Sequence, residues 1–227
     1  MPGPTACAAP AAGRVLVFTR TVQFRHDAIL TTIATLQRVA AAEGMQADAT
    51  EAADFTPVRL ARYRVVVFAN TTGDVLDAAQ QRALEGFIRA GGGFAGLHAA
   101  ADTEYDWPWY GARVGAYFRA HPPGLQDTRV QPERDGRTRG TAWPIRGEIY
   151  TCRDNPRARA RGRHGGRTSL RWRWMGDDHP ITWCHTFDGG HSWYTGLGHD
   201  EAVYRDPDFV AQLRQGLRYA AGSSSRC

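Results

Sequence analysis

The sequence has no long hydrophobic run. Arginine, aspartate or glycine interrupts every apolar stretch before it reaches the roughly 20 residues that a membrane-spanning helix needs. Residues 1–13 are rich in alanine and proline but have neither a basic start nor an apolar core, so they do not resemble a signal peptide. We expect this segment to be a disordered extension. These absences predict a cytoplasmic protein without a membrane partner.

Cysteine is also scarce, and its spacing matches no known framework. The chain has four cysteines that lie far apart and form no CxxC motif: Cys7, Cys152, Cys184 and Cys227. This spacing indicates neither a zinc ribbon nor a set of disulfides. We therefore expect free thiols, either buried or near the end of the chain.

The basic charge is not distributed as in a nucleic-acid-binding protein. The chain carries 28 basic and 23 acidic residues, but seven arginines fall within residues 157–173, a run without lysine. A groove for a phosphate backbone interleaves basic and aromatic side chains along one face. The local run predicts no nucleic-acid partner. The glycine-rich segments at residues 89–93 and 188–190 lack the GxGxxG or P-loop pattern with the flanks that a nucleotide loop needs, so we expect turns there.

What the sequence does contain is an alternation of strand and helix patterns. With 227 residues, 42% of them hydrophobic, the chain can bury one core, and we expect a single domain over residues 14–222. Residues 15–18, 65–68 and 91–98 are typical of buried strands, whereas residues 27–43 and 76–90 have helical spacing. This order predicts a three-layer, doubly wound, mostly parallel α/β sheet with a ligand crevice at the carboxyl ends of its strands.

The C-terminal part of the chain shows a different pattern. Residues 181–187 and 191–197 predict a β-hairpin that turns on Asp188-Gly-Gly190. Residues 207–221 predict a closing helix whose first turn contains Pro207 and Asp208. We expect residues 223–227 to be a frayed tail.

Histidines occur in loops or at strand ends that are expected on one edge of the sheet: His26, His98, His179 and His199. Asp102 and Glu148 are expected near them. Imidazoles beside carboxylates suit general acid–base work on hydroxyl or carbonyl groups. They suit a divalent cation with bound water equally well, although no HxxxH spacing is present. For any one histidine, a hydrogen bond to loop backbone is the alternative, so all three interpretations stay open.

Two further groups of side chains are candidates at the same edge. Aromatic rings lie among acids at Tyr105, Trp107, Trp109 and Tyr110, which is typical of a sugar-binding platform but also of a hydrophobic lid or a contact in a homo-oligomer. Asn70 and Thr71 offer amide and hydroxyl groups for sugar hydroxyls or a phosphate. The alternative is a turn held by side-chain-to-backbone hydrogen bonds.

Most of the chain resembles the ThuA-like (trehalose utilisation) family. The motifs that carry the resemblance are Phe24-Arg-His26, residues 70–76, residues 91–102, residues 107–110, Asp178-His-Pro-Ile-Thr-Trp183 and Gly196-Leu-Gly-His199. The resemblance implies a class I glutamine amidotransferase-like, flavodoxin-like fold. It also implies a role with trehalose or a related disaccharide or keto-sugar. Amidotransferases carry a nucleophilic cysteine on the turn where this chain has His98, so we expect no glutamine hydrolysis.

The resemblance also suggests roles for individual residues. We predict catalytic or, for the two histidines, cation-binding roles for His98, His199 and Glu148. We predict substrate-binding roles for His26, Asn70, Thr71, Asp102, Tyr105, Trp107, Tyr110, Tyr150 and His179. Hydrolysis and isomerisation of a sugar both remain open as the reaction. The alternatives to an enzyme are a non-catalytic sugar-binding or sensor protein and a decayed paralogue.

Residues 128–174 depart from the family pattern. A His-Pro-x-Thr segment expected near Glu133 is absent, and an Asp-Glu-x-Tyr element survives only as Gly147-Glu-Ile-Tyr150. The arginine-rich residues 157–173 replace an expected hydrophobic strand, so we expect an internal or edge strand to be missing. A local change of reading frame would explain the run, and a solvated basic loop is the alternative.

Overall fold

The computed structural model describes residues 13–134, 137–158, 164–169 and 175–227. Residues 1–12 of the predicted extension, which spans residues 1–13, lie outside the described residues. The strands are β1 (Arg14–Phe18), β2 (Gln46–Thr50), β3 (Val65–Ala69), β4 (Gly93–Leu97), β5 (Phe118–Ala120), β6 (Gln126–Arg134), β7 (Arg137–Thr138), β8 (Trp143–Gly147), β9 (Thr151–Cys152), β10 (His164–Thr168), β11 (Pro180–Phe187) and β12 (Gly190–Thr195). The helices are α1 (Ile29–Ala42), α2 (Pro57–Leu60), α3 (Ala78–Arg89), α4 (Pro108–Val114) and α5 (Pro207–Ala220), with 3-10 turns at His98–Asp102, Pro156–Ala158 and Glu201–Arg205.

The first half of the main sheet is parallel, and its inner strands are buried on both faces. Its order is β2-β1-β3-β4-β12, and every residue of β3 is buried. Because side chains alternate along a strand, Val15 and Val17 belong to the core under α1 and α5, whereas Leu16 and Phe18 belong to the core under α2, α3 and α4. The predicted three-layer α/β arrangement is therefore present here.

The second half of the main sheet is antiparallel. From β12 the order continues through β11, β10, β6 and β7, with β8 on the free side of β6. The prediction of a mostly parallel sheet is wrong for this half. β11 and β12 are joined by only Asp188 and Gly189, both at positive φ, and such a two-residue turn reverses the chain without a crossover helix. The antiparallel pairing then continues through β10, β6, β7 and β8, which the sequence patterns did not predict because these pairs join segments far apart along the chain.

Residues 128–174 contain a strand where we expected one to be missing. β10 lies between β6 and β11 and pairs with both, and its Gly166 and Thr168 are buried. Two described arginines of this region pair with one carboxylate: Arg167 and Arg157 lie 2.8 and 2.6 Å from that of Glu133. Opposite charges thus replace part of the expected hydrophobic packing. Residues 159–163 and 170–174 of the arginine run lie outside the described residues.

The cysteines depart from the prediction of free thiols. Cys184 on β11 forms a disulfide with Cys227, 43 residues later, whereas Cys152 is free and buried. The predicted frayed tail is tied down as well, because Gln215 Nε2 donates a 2.7 Å hydrogen bond to the Arg226 carbonyl oxygen. Sequence spacing concealed this pair, since the chain after α5 returns to the core strand. No helix among the described residues has the length and apolar character to cross a membrane.

Candidate functional site

Three histidines meet at the carboxyl edge of the parallel strands. His26 follows β1, His98 follows β4 and His199 follows β12, and parallel strands end at one edge. Glu148 reaches the same place from the connection between β8 and β9. β9 pairs with β5 as a separate two-stranded sheet, which holds this connection in place. We call His26, His98, Glu148 and His199 the histidine cluster.

His98 occupies a constrained position at the end of β4. Its φ of 49° lies in the left-handed region, which a non-glycine residue adopts only when the surroundings require it. The side chain is fully buried, and its Nδ1 lies 2.8 Å from the Gly196 carbonyl oxygen. Tyr194 donates its hydroxyl to the His98 carbonyl oxygen, and the Tyr150 ring packs 4.0 Å from the imidazole. The His98 ring is therefore fixed with Nε2 facing the cluster.

Three polar atoms of the cluster form a nearly equilateral triangle. His98 Nε2 lies 3.3 Å from Glu148 Oε2, His199 Nδ1 lies 3.2 Å from the same oxygen, and the two nitrogens are 3.3 Å apart. His26 stands beside them, with its ring centroid 4.9 Å from that of His98 and 5.2 Å from that of His199. The four residues offer ligand atoms that all lie within 4.8 Å of one another.

Burial and mutual contacts determine the charges of the cluster. Burial, with the neighbouring His98, lowers the pKa of His26 to about 3, and burial also lowers the pKa of His98. Burial alone would raise the pKa of Glu148, but its contacts with His199 and His98 hold it well below its ordinary value. The Glu148 hydrogen bond in turn raises the pKa of His199. The cluster therefore combines an anionic carboxylate with two neutral imidazoles.

Comparison with known proteins places the chain in a family. The family model described as ThuA, trehalose utilisation, matches residues 14–220. The chain belongs to the ThuA family. The match includes every member of the histidine cluster. No curated protein matches the chain.

Solved structures agree with the fold of this ThuA-family chain. A ThuA-like protein from Bacteroides uniformis ATCC 8492 aligns over 96% of this chain and 95% of its own, with a TM-score of 0.70 and 18% identity. One from Parabacteroides merdae ATCC 43184 covers 94% and 91%, with a TM-score of 0.73 and 16% identity. A β-galactosidase from Rahnella sp. R3 covers 92% and 31%, with a TM-score of 0.55 and 14% identity. At such identities the likeness shows the fold alone.

One residue of the site was missed by the sequence analysis of this ThuA-family chain. His121 follows β5, and its Nδ1 lies 3.2 Å from Glu148 Oε1 and 2.8 Å from the Pro122 carbonyl oxygen. Its Nδ1 therefore lies between two acceptor oxygens, and the carboxylate oxygen is the one that does not belong to the triangle. The only sequence signal was a histidine before two prolines, because pairing of β5 with the distant β9 cannot be predicted from either segment.

Asp102 and Tyr105 lie beside the histidine cluster. The Tyr105 hydroxyl donates a 2.6 Å hydrogen bond to Asp102 Oδ1, and the Arg153 guanidinium stands 4.1 Å above the Tyr105 ring. Burial raises the pKa of Asp102, although the Tyr105 hydrogen bond and the charge of His98 oppose this. Of these side chains, Asp102 is the one that the sequence analysis expected to lie near the histidines.

The other predicted substrate-binding residues are not brought to the cluster by the ThuA fold. Asn70 and Thr71 are fully buried, and their amide and hydroxyl contact Gly198 and Thr103 instead, as in the alternative of an internally bonded loop. His179 is fully buried, with Nε2 2.8 Å from the Tyr150 carbonyl oxygen. Its contact supports the segment that carries Glu148.

The predicted aromatic platform is mainly a packing feature of this ThuA-family chain. Tyr110 is fully buried in the core, where its hydroxyl donates to the Ala100 carbonyl oxygen, so it cannot line an open pocket wall. Trp107 stacks on Trp109 and Tyr110, and its Nε1 donates to Glu85. These rings start α4 and pack it on the sheet.

Proposed function

We propose that this protein binds and acts on a sugar, either trehalose or a related disaccharide or keto-sugar, at the histidine cluster on the carboxyl edge of a flavodoxin-like sheet. The observation that carries the proposal is the convergence of three imidazoles and one carboxylate at that edge. The family description, trehalose utilisation, supplies the substrate class.

A sugar can reach only one side of the cluster. The side chains of Glu148, His199 and His121 are 11%, 26% and 34% exposed, whereas that of His98 is fully buried. The sugar would therefore lie against the first three residues. Phe118 is partly exposed, stacks on His121 and forms an apolar wall there, with the buried Tyr150 ring packed against it at 4.1 Å. Such a wall suits the C–H faces of a sugar ring.

The charges at this opening complement the polar groups of a sugar. An ionised carboxylate accepts hydrogen bonds from hydroxyl groups, and imidazoles accept or donate protons near neutral pH. Contact with the sugar oxygens is either direct or through a cation that these residues hold. Hydrolysis and isomerisation both need a proton to be moved at such an oxygen or at the carbon beside a carbonyl.

A second candidate function is sugar binding without turnover. The observation that favours it is Gly147, which lies directly before Glu148. The family pattern that the chain resembles has an aspartate at this position. Without that carboxylate, a site can still recognise hydroxyl groups while lacking a group for proton transfer. The two candidates differ in whether a product is formed.

The proposal is tested with trehalose and a 3-oxo disaccharide. We expect the melting temperature of the purified protein to rise with sugar concentration, because the ligand binds only the folded state. Glu148→Gln keeps the shape of the side chain and removes its charge, and we expect it to bind at least about tenfold more weakly. Glu43→Gln is the matched control, since Glu43 is similarly buried but contacts Arg214 and Arg218.

Product analysis by NMR separates the two candidates. A new sugar species formed by the wild type and not by Glu148→Gln identifies an enzyme. Binding without product identifies the binding protein. Neither a melting shift nor a product with any of these sugars, from a protein that unfolds cooperatively, contradicts the proposed function.

A further inference from the structure

The histidine cluster has the donor set and geometry of a metal site. We propose that it holds one divalent transition-metal cation, with His98 Nε2, His199 Nδ1 and Glu148 Oε2 as ligands and a ring nitrogen of His26 as the fourth. This inference deepens the proposed function, because the cation would be the group that the sugar oxygens contact. Four observations carry it.

The first observation is the size of the triangle. Its three edges measure 3.2–3.3 Å between His98 Nε2, His199 Nδ1 and Glu148 Oε2. Ligand atoms about 2.0–2.1 Å from a tetrahedral ion are about 3.3–3.4 Å apart. The three side chains therefore already have the spacing of a coordinated set, and no rearrangement of the sheet edge is needed.

The second observation is a shortage of protons within the triangle. The Gly196 carbonyl oxygen can only accept, so Nδ1 of the buried His98 carries the proton and Nε2 presents a lone pair. Glu148 Oε2, 3.3 Å away, presents lone pairs as well. One hydrogen on His199 Nδ1 cannot bridge both acceptors. A cation between them relieves the repulsion and uses the same lone pairs.

The third observation is an unused polar atom on His26. The side chain is 4% exposed, yet its Nδ1 is buried and has no hydrogen-bond partner among the described residues. A buried imidazole nitrogen without a partner costs free energy unless something binds it. The His26 ring stands nearly perpendicular to those of His98 and His199, at 87° and 86°, and it offers a ring nitrogen within 4.8 Å of the ligand atoms of the triangle.

The fourth observation is the support given to the ligands. Metal-binding histidines usually donate their second N–H to a carbonyl or carboxylate, as His98 does to Gly196. Metal-binding carboxylates are held in the same way, and His121 contacts the free oxygen of Glu148. Three imidazoles with one carboxylate favour zinc, cobalt, manganese or iron over magnesium or calcium, which prefer oxygen ligands.

The cation would define which sugars fit. A Lewis acid at this place polarises a carbonyl oxygen, and a neighbouring hydroxyl can share the ion. The site therefore suits an α-hydroxy ketone better than an unoxidised sugar. The exposed sides of Glu148 and His199 leave access for such a pair of oxygens.

The test uses untagged protein, since a histidine tag would bind the metal itself. Metal content is measured by mass spectrometry, then the protein is stripped with a chelator, dialysed and titrated with Zn²⁺, Mn²⁺ or Co²⁺. We expect about one equivalent per chain, a higher melting temperature with the metal and a visible absorption band with Co²⁺. Absence of stoichiometric binding by all three ions would overturn the inference.

Two variants and two controls locate the site. Glu148→Gln and His199→Ala replace partly exposed side chains, and we expect each to weaken metal binding at least about tenfold while the stripped protein still unfolds cooperatively. Glu43→Gln and His191→Gln are controls. His191 lies at the amino end of β12, where its ring packs on Tyr219, far along the strand from His199. Equal losses in the controls would contradict the assignment.

The readouts separate this inference from the proposed function, because metal binding is measured without sugar. A cation that binds at the cluster while no sugar binds or reacts overturns the function and leaves the metal site intact. Sugar binding that is equally tight in stripped and metal-loaded protein, together with no stoichiometric cation binding, overturns the metal site and leaves the proposed function intact. Tighter binding of the 3-oxo disaccharide only in loaded protein is the result expected when both hold.

Discussion

The parallel and antiparallel halves of the sheet contribute to the site in different ways. The parallel half is built from continuous apolar strands such as β3, and it supplies His26, His98 and His199 from the ends of β1, β4 and β12. The antiparallel half is held partly by ion pairs around Glu133, and it supplies only Glu148. The imidazoles are therefore positioned by a buried scaffold, whereas the carboxylate depends on the strands that adjoin the arginine-rich segment.

The comparison teaches that an arginine-rich segment can still complete a sheet and help to position a residue of the candidate site. β10 forms within the arginine-rich segment because Arg157 and Arg167 find the Glu133 carboxylate, and this keeps β6 and β11 in one sheet. β8 on β6 then delivers Glu148 to the cluster. We expect the two halves of the sheet to respond differently to substitution, with the largest loss of stability in the parallel core.

Removal of a buried aromatic ring from the parallel half should cause the largest loss of stability. Phe68 is fully buried between Phe18 and Phe94, and Phe68→Ala should lower the free energy of unfolding by about 3–5 kcal/mol. Ile145→Ala on the outer strand β8 should cost only about 2 kcal/mol, the lower end for such truncations. Urea unfolding measures both. Equal losses would mean that the halves are equally well packed.

The disulfide should contribute strongly to the antiparallel half. Cys227→Ser opens the bond to Cys184 on β11, and the entropy of loop closure predicts a loss of about 2–4 kcal/mol. Thermal unfolding with and without a reductant measures it. The reductant should lower the melting temperature of the wild type but not of Cys227→Ser. A wild-type melt that is indifferent to reductant contradicts the prediction.

Ion pairing in the antiparallel half should be weaker than core packing in the parallel half. Glu133→Gln removes the charge that faces Arg157 and Arg167, both partly exposed, and should cost about 1–2 kcal/mol. Asp127→Asn, which breaks the exposed pair with Arg146, should cost less than about 0.5 kcal/mol. Urea unfolding at low and high salt compares them. A Glu133→Gln loss as small as that of Asp127→Asn would show that β10 does not depend on these pairs.

Support of Glu148 should matter for binding rather than for stability. His121→Ala removes the contact with Glu148 Oε1 and should weaken binding of metal or sugar by about tenfold, with little change in the melting temperature. His121→Asn keeps an N–H donor and should recover part of the affinity. Calorimetric titration measures both variants. Unchanged affinity in His121→Ala would remove the positioning role.

The smallest expected effect concerns a buried carboxyl in the parallel half. Burial raises the pKa of Glu104 above its ordinary value of 4.5, although backbone N–H groups of Leu76 and Val75 and the side chain of Gln81 oppose the shift. A raised folded-state pKa adds stability at pH values below 4.5, and this is lost as pH rises through the folded-state value. Glu104→Gln should flatten that part of the stability profile. An unchanged slope in acid-range urea unfolding contradicts it.

Part of the fold and site could be predicted from local patterns. Apolar strands such as the one around Val66, and histidines that follow strands, can be recognised from a few neighbouring residues. Because parallel strands end at one edge of the sheet, we could expect His26, His98 and His199 to lie close together. Burial could not be predicted in the same way. Tyr110 and His179 are of residue types that are common in functional sites, but packing from distant elements buries both side chains.

The sequence by itself determined the family, the parallel core and the histidines at its edge, because apolar periodicity and strand ends are properties of short segments. Only the tertiary structure decided that Glu148 and His121 face each other, that Cys184 meets Cys227 and that β10 exists among arginines. These features depend on contacts between segments far apart along the chain. These features are stabilised by contacts with residues of other segments, so they cannot be predicted from any one segment alone.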